Sequence, residues 1–392
     1  MNYEKAVIKQ NLETILMFPI IFIGKLAGYF IKLSKPHNYF LFFAAADIGG
    51  SIKVNADITE IIKHKKPLII FSKKPKNNKF KELFESEEIE CLDLSKWIDN
   101  KALHFINIFF RGVISTWINR SEKPIVFGGE CIFFYKVIPH IKKEANVIEL
   151  CHMNTWLNYS QAFLKRIDAR IFSTQKVMRD VQKQYLENNI SEEYFRRLHF
   201  IDNKIDIPPF SKTQNDVFQI LFVGRGAPQK RVHLLVNIAK RSLEKKLTVH
   251  FNFVGDVFSF FKELNLSNCT LYGEIKSRKE LEEKYEENNA LILTSAYEGL
   301  PLVVMDMMAR GKIIISTAVD GIPDYIEHLE NGLLIENLTE SQIVEDALSL
   351  ISMISSDKLL QEKISANAYQ FAYSHFSKNV FDSFYREILK IN

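Results

Sequence analysis

The chain predicts an α/β protein built from two parallel-sheet domains, and three observations carry that expectation. Short apolar runs alternate with stretches of helical periodicity, the pattern of strands joined by crossover helices. Glycine and polar residues cluster just after those runs, where ligands bind at the carboxyl ends of parallel strands. The chain has 392 residues, 47% of them hydrophobic, which is enough for more than one core.

Residues 1–36 form a segment of their own. From Leu12 to Leu33 the chain is strongly apolar, with Lys25 interrupting it and Lys9, Lys32 and Lys35 at its flanks. A membrane span needs about 20 uninterrupted apolar residues, so the segment suits a helix lying on an anionic membrane face. It equally suits a helix packed on the protein itself.

The first sheet domain, 37–207, opens with a strand at 39–45 that runs into Asp47-Ile48-Gly49-Gly50-Ser51, followed by a helix at 52–64. Further strands are expected at 67–71, 102–110, 124–127 (before Gly128-Gly129), 147–151 (before His152), 169–173 and 198–201, with a helix after 173 reaching about 186. Pro208-Pro209 then marks the start of the second domain, 208–372. Its strand at 218–223 leads to Gly224-Arg225-Gly226, a helix follows at 231–240, and the strand at 248–254 ends at Gly255-Asp256. Strands at 270–272, 290–294, 313–316 and 332–335 come next, then an amphipathic helix at 341–353. The aromatic-rich run 365–389 reads as helices, and 373–392 is expected to return to the first domain.

Composition excludes several classes. The 51 basic and 47 acidic residues give a formal net charge of +4, and no basic tract is interleaved with aromatics, so nucleic acid is not an expected partner. Lys63-His64-Lys65-Lys66 and Lys73-Lys74-Pro75-Lys76 read as solvated loops. Cys91, Cys131, Cys151 and Cys269 are widely spaced, which suggests ordinary buried thiols in a reducing compartment. No Asp-x-Asp pair and no tight His/Cys/Asp cluster occurs, so no metal site is expected.

Four constellations carry chemistry. Gly49-Gly50 suits either a tight turn or the anion-binding start of a helix. Arg225 and Lys230 flank a short turn after a strand, where a guanidinium fork and an ammonium could together hold a diphosphate. Glu298, in a Gly/Pro turn with Gly299, Leu300, Pro301 and Leu302, precedes Asp306, which lies among Val303, Val304, Met305, Met307 and Met308. An acid in such surroundings needs a fixed partner or a ligand. His152 follows a strand end and suits either a ligand contact or a satisfied structural histidine.

The second half resembles the retaining, nucleotide-sugar-dependent glycosyltransferases of family 4. The resemblance rests on Phe222-Val223-Gly224-Arg225 with Lys230, on Glu298-Gly299-Leu300-Pro301-Leu302-Val303, and on Ala309-Arg310-Gly311 and Gly321-Ile322-Pro323. It covers about 218–334 and is fainter in the first domain, at Gly49-Gly50 and His152. It implies the GT-B fold, two Rossmann-like domains facing across a cleft. It also implies that Arg225 and Lys230 hold the donor diphosphate, Glu298 contacts the donor sugar, and the backbone of Gly299, Leu300, Pro301 and Leu302 touches sugar or phosphate. Asp306 stands where the family has a ribose-binding glutamate; Gly273 and Ile275 border the base, Gly50 approaches the diphosphate, and His152 lies by the transferred sugar.

By the same resemblance the donor is a nucleoside-diphosphate sugar, UDP or GDP, and no cofactor is needed. The apolar, lysine-punctuated N-terminus suits a glycan or lipid-linked glycan acceptor in bacterial surface polysaccharide synthesis, in the cytoplasm or at the inner face of its membrane with peripheral membrane contact, and soluble acceptors stay open. A nucleotide-sugar epimerase and a non-catalytic sugar-nucleotide-binding protein remain open at this point.

Overall fold

The computed structural model describes residues 2–47, 50–152, 156–211, 215–261, 265–298, 301–337 and 339–391. The chain divides into two compact units, Met1–Asn203 with Asp382–Asn392, and Lys204–Phe381.

The first unit is built on a parallel sheet of seven strands: β1 (Tyr39–Phe43), β2 (Leu68–Phe71), β3 (Glu90–Asp93), β4 (Ile125–Gly128), β5 (Asn146–Cys151), β6 (Ala169–Phe172) and β7 (Leu198–Phe200). They lie in the order β3-β2-β1-β4-β5-β6-β7. Every residue of β1 and β2 is buried, because helices cover both faces of a parallel sheet and the strands then read as unbroken apolar runs.

The second unit has six parallel strands: β8 (Phe218–Val223), β9 (Val249–Val254), β10 (Cys269–Gly273), β11 (Ala290–Leu293), β12 (Ile313–Thr317) and β13 (Leu333–Ile335). Their order is β10-β9-β8-β11-β12-β13. Both sheets therefore have the doubly wound, Rossmann-like order, and each has one point where the winding reverses: between β1 and β4, and between β8 and β11. The loops leaving the carboxyl ends of those paired strands splay apart and leave a crevice. Two Rossmann-like units of this kind make up the GT-B fold.

Residues 102–110 are not a strand. They belong to the helix His104–Arg120, which is buried at Asn107 and Ile108 and at every position from Arg111 to Ile118. The helix packs on two sides: Phe109 and Phe110 lie against the sheet core that Val113, Ile114 and Ile118 join, while Gly112 and Thr116 meet a second helix, Tyr3–Phe30. Sequence periodicity also passes over β3, an edge strand with alternately exposed residues. The four thiols are free, but only Cys131 and Cys151 are buried, Cys269 being partly exposed and Cys91 exposed.

Within the segment 1–36 the structure has a helix, Tyr3–Phe30, packed on the first unit. Tyr3–Phe30 buries Ala6, Gln10, Ile21, Gly24 and Gly28 and lies against His104–Arg120. A Cβ on Gly24 would come within 2.1 Å of Phe109 O, and one on Gly112 within 2.1 Å of Ile21 O. Only glycine permits the two helix backbones to approach so closely.

Candidate functional site

In the second unit, the loops after β8 and β11 are stitched together at the winding reversal. Arg231 adopts a left-handed conformation, φ 47°, and its guanidinium donates to Thr294 O and Ser295 O, each at 2.6 Å. Gln229 adds two links: its Nε2 donates to Tyr297 O at 2.8 Å, and its carbonyl accepts from Ala296 N at 2.8 Å. A third loop closes on the first two. Gly255 lies at φ +126°, and a Cβ there would meet Gly224 O at 1.9 Å.

This framework sets the sequence-predicted residues. Lys230 makes a charge-assisted hydrogen bond to Glu298 Oε1, and Ser295 Oγ donates to the same oxygen at 2.7 Å. The Glu298 backbone N–H donates to Asp320 Oδ2 at 3.0 Å. Glu298 is 8% exposed. A carboxylate so covered needs several donors, and Lys230 and Ser295 supply two. Arg225 differs: it is exposed and makes no side-chain ion pair among the described residues, so its guanidinium is available at the carboxyl edge of β8.

Asp306 has a fixed partner. It lies in the helix Leu302–Met308 and is 2% exposed. Arg278, at the start of the helix Arg278–Glu287, grips it through two hydrogen bonds, Nη1 to Oδ2 at 3.2 Å and Nη2 to Oδ1 at 2.7 Å. Arg310 stands 3.6 Å away and donates to the Asp306 carbonyl at 3.0 Å. The carboxylate holds the Arg278 guanidinium firmly in its charged form, raising its pKa. Gly273 ends β10 at φ +70°, and Ile275 follows it, partly exposed, in the loop leading to Arg278. Pro301 is the N-cap of the Leu302–Met308 helix and Leu302 is exposed. Gly299 and Leu300 lie outside the described residues.

The first unit carries a separate small cavity at its own winding reversal. About 80 Å³ in volume, it is lined by Ser51, Asn55, Gly128, Gly129, Glu130 and His152, among others. The His152 N–H donates to Glu130 Oε1 at 2.9 Å, and its Nδ1 is 2.7 Å from Ser173 Oγ. Part of the residue reaches the surface, but the ring Nε2 is fully covered and has no hydrogen-bond partner among the described residues. Burial pushes the imidazole down to about 4, so the ring is neutral near pH 7. Gly50 opens the helix Gly50–Ile62, and a Cβ there would meet nothing within 4 Å. The space above it is open, so protein packing does not demand a glycine. Gly49 lies outside the described residues.

Among the described residues no group of three or more His, Cys, Asp or Glu side chains is placed to hold a metal ion. Sequence reasoning missed Gln229, Arg231, Asp320, Ser295 and Arg278. Gln229, Arg231 and Ser295 had a local signal, the first two lying on either side of Lys230 and the third just before the Glu298 turn.

Residues 203–371 match the family described as glycosyl transferases group 1. An uncharacterized protein of the cps region of Klebsiella pneumoniae is 30% identical over 183 residues, 46% of this chain and 48% of the relative. The poly(ribitol-phosphate) alpha-N-acetylglucosaminyltransferase of Staphylococcus aureus is 25% identical over 240 residues, 56% of this chain and 46% of the relative. The chain thus spans about half the length of the curated relatives it matches. Among solved structures, HepE from Anabaena with UDP and glucose superposes with a TM-score of 0.64 at 15% identity, covering 91% of this chain and 100% of that one. The lipopolysaccharide outer core galactosyltransferase WaaB superposes at 0.66 and 18% identity, covering 90% and 98%. These likenesses show the fold alone: the chain is a GT-B-fold protein, and its residues 203–371 are similar to the glycosyl transferases of group 1.

Proposed function

We propose that this protein is a retaining glycosyltransferase that moves a sugar from a nucleoside-diphosphate sugar to a hydroxyl of a glycan or lipid-linked glycan in bacterial surface polysaccharide synthesis. The observation that carries the reading is the convergence of Lys230 and Glu298, from different loops, at the winding reversal of the second sheet, with the exposed Arg225 beside them. A diphosphate is recognised by a fork and a point charge together, and the Glu298 carboxylate held beside Lys230 has lone pairs that accept sugar hydroxyls. Poly(ribitol-phosphate) and colanic acid appear in the names of the relatives, which supports a surface glycan as acceptor.

In the proposed reaction the bond between the anomeric carbon and the diphosphate oxygen breaks as the acceptor oxygen bonds to the same carbon. The acceptor proton passes to the departing phosphate. Retention and this front-face route rest on the family resemblance. The residues present would stabilise the charge that grows on the leaving diphosphate, with Arg225 and Lys230 neutralising it. Glu298 would orient the sugar, and Gly299 to Leu302 would touch it or the phosphate through their backbone. Asp306, pre-oriented by Arg278, would accept from the ribose, with Gly273 and Ile275 beside the base. In the first unit Gly50 would admit the diphosphate, and the covered Nε2 of His152 would bond a sugar hydroxyl. A peripheral contact of residues 1–36 would bring the acceptor side to the inner face of the cytoplasmic membrane.

The test is acceptor-dependent release of nucleoside diphosphate by the wild type and by Arg225→Ala and Lys230→Ala. Each substitution should lower kcat/KM by about 100-fold or more, the scale of losing a transition-state donor; Arg225→Ala should unfold at the wild-type temperature, and Lys230→Ala, which takes a donor from the covered Glu298, at a lower one while remaining folded in the assay. Near-normal turnover in both variants would remove the diphosphate assignment.

A further inference from the structure

The outward face of the helix Tyr3–Phe30 poses a physical problem. Between residues 12 and 31 every exposed side chain is apolar or aromatic: Leu12, Ile15, Leu16, Phe18, Pro19, Phe22, Ile23, Leu26, Tyr29, Phe30 and Ile31. Leu16 is 78% exposed and Phe30 84%. The two charged residues of that stretch, Glu13 and Lys25, are only partly exposed. A continuous apolar face of this size on a monomer marks a surface that something else covers.

The opposite face says that the helix stays on the protein. Glu13 is paired with Lys136 and accepts from Arg111 Nη1 at 3.0 Å. Thr116 Oγ1 donates to Lys25 O at 3.0 Å, and Trp117 Nε1 to Ile31 O at 2.8 Å. Moving the helix into a bilayer as a span would strip Arg111, 3% exposed, of its carboxylate and part the glycine contacts at Gly24 and Gly112. The 28-residue helix, about 42 Å long at 1.5 Å per residue, is thus held flat against the unit.

Charge identifies the occupant. Lys5 and Lys9, with Glu4 beside them, stand at one end of the apolar face and Lys32 and Lys35 at the other, all exposed, so each end keeps a net positive charge. If a second copy covered this face about a two-fold axis, a parallel pairing would set each lysine pair against itself. An antiparallel pairing would set each against the other, so like charges would meet either way. An anionic lipid surface meets the same lysines with attraction. Beyond Phe30 the face also opens into a cavity of about 510 Å³ whose lining includes Lys32, Lys35, Trp117 and Arg120, with Glu122 as its one carboxylate. That is a place for a phosphate headgroup beside a surface for acyl chains.

We propose that this face is an in-plane docking surface for anionic phospholipid, with the apolar side chains seated among the acyl chains and the Lys32, Lys35 and Arg120 pocket holding a headgroup phosphate. This deepens the peripheral contact proposed above. It is tested without any sugar, so its failure and the failure of the transfer reaction are told apart.

The experiment is flotation of the full chain with vesicles of phosphatidylglycerol and phosphatidylcholine, and with phosphatidylcholine alone. Comparison is with Ile15→Glu/Phe22→Glu and Lys32→Glu/Lys35→Glu, and light scattering gives the state without lipid. The substituted side chains are exposed, so all variants should unfold at the wild-type temperature. The wild type should be monomeric and float with the phosphatidylglycerol vesicles, and each pair of substitutions should cut that partition by about tenfold or more. Folded wild type that does not float, flotation unaffected by Ile15→Glu/Phe22→Glu, or a lipid-free dimer abolished by those substitutions would each overturn the proposal.

Discussion

At the scale of single residues, the behaviour of this protein turns on a few side chains that are covered but still chemically engaged. His152 and His140 are both held neutral, each pushed down from 6.5 to about 4 by burial. The unfolded chain takes up protons at these positions more readily than the folded one, so stability from the pair is complete above about pH 6.5 and is lost as pH falls toward 4. Each histidine contributes at most about 3 kcal/mol over that window. Thermal unfolding followed from pH 7.5 to 4.5 should therefore fall less steeply in His152→Gln than in wild type; an equal slope would mean that this imidazole is not held neutral. Arg278 offers a second residue-scale test. If its grip pre-orients Asp306 for the ribose, Arg278→Ala should raise the donor KM by about tenfold with kcat nearly kept, the signature of lost ground-state binding. An unchanged KM would leave Arg278 a purely structural partner.

At the scale of elements, the strands other than the edge strand β3 were legible because a sheet covered on both faces writes itself as apolar runs. Phe218–Val223 is marked residue for residue by its sequence. The helix His104–Arg120 was not legible, since it is covered by the sheet on one side and a helix on the other and is buried nearly all round from Arg111 to Ile118. The buried network between β5 and β6 was also hidden. Glu149 and Arg170, 0% and 1% exposed, pair at 2.5 Å, while Tyr135 donates to Glu149 at 2.7 Å and Arg170 donates to Ser160 Oγ at 2.7 Å. Their encounter depends on the register of neighbouring strands, which no local pattern records. Arg170→Met, which strands the Glu149 charge, should cost about 3–5 kcal/mol of stability, and Glu149→Leu combined with Arg170→Met should cost less than the single change. Denaturant unfolding of the three proteins measures the difference; a double variant less stable than Arg170→Met would refute the account of a stranded charge.

At the scale of the whole molecule, two sheets wound in the same order each reverse once, and each gathers its unusual residues at that reversal. In the second unit the gathered set is Lys230, Glu298 and Arg225, all legible as turn residues after strands. The parts that hold them were not: Arg231 reaches Thr294 and Ser295 from more than sixty positions away, a contact created by β8 and β11 lying side by side. The central claim, that this crevice binds a nucleoside-diphosphate sugar, is tested most directly by calorimetric titration of UDP- and GDP-sugars into wild type, Lys230→Ala and Glu298→Ala. The account predicts saturable binding of one nucleotide class, weakened by about tenfold or more in Lys230→Ala, the order expected for removing one charge-assisted phosphate contact. Binding that is equal in all three proteins, or no binding of any donor by folded wild type, would contradict it.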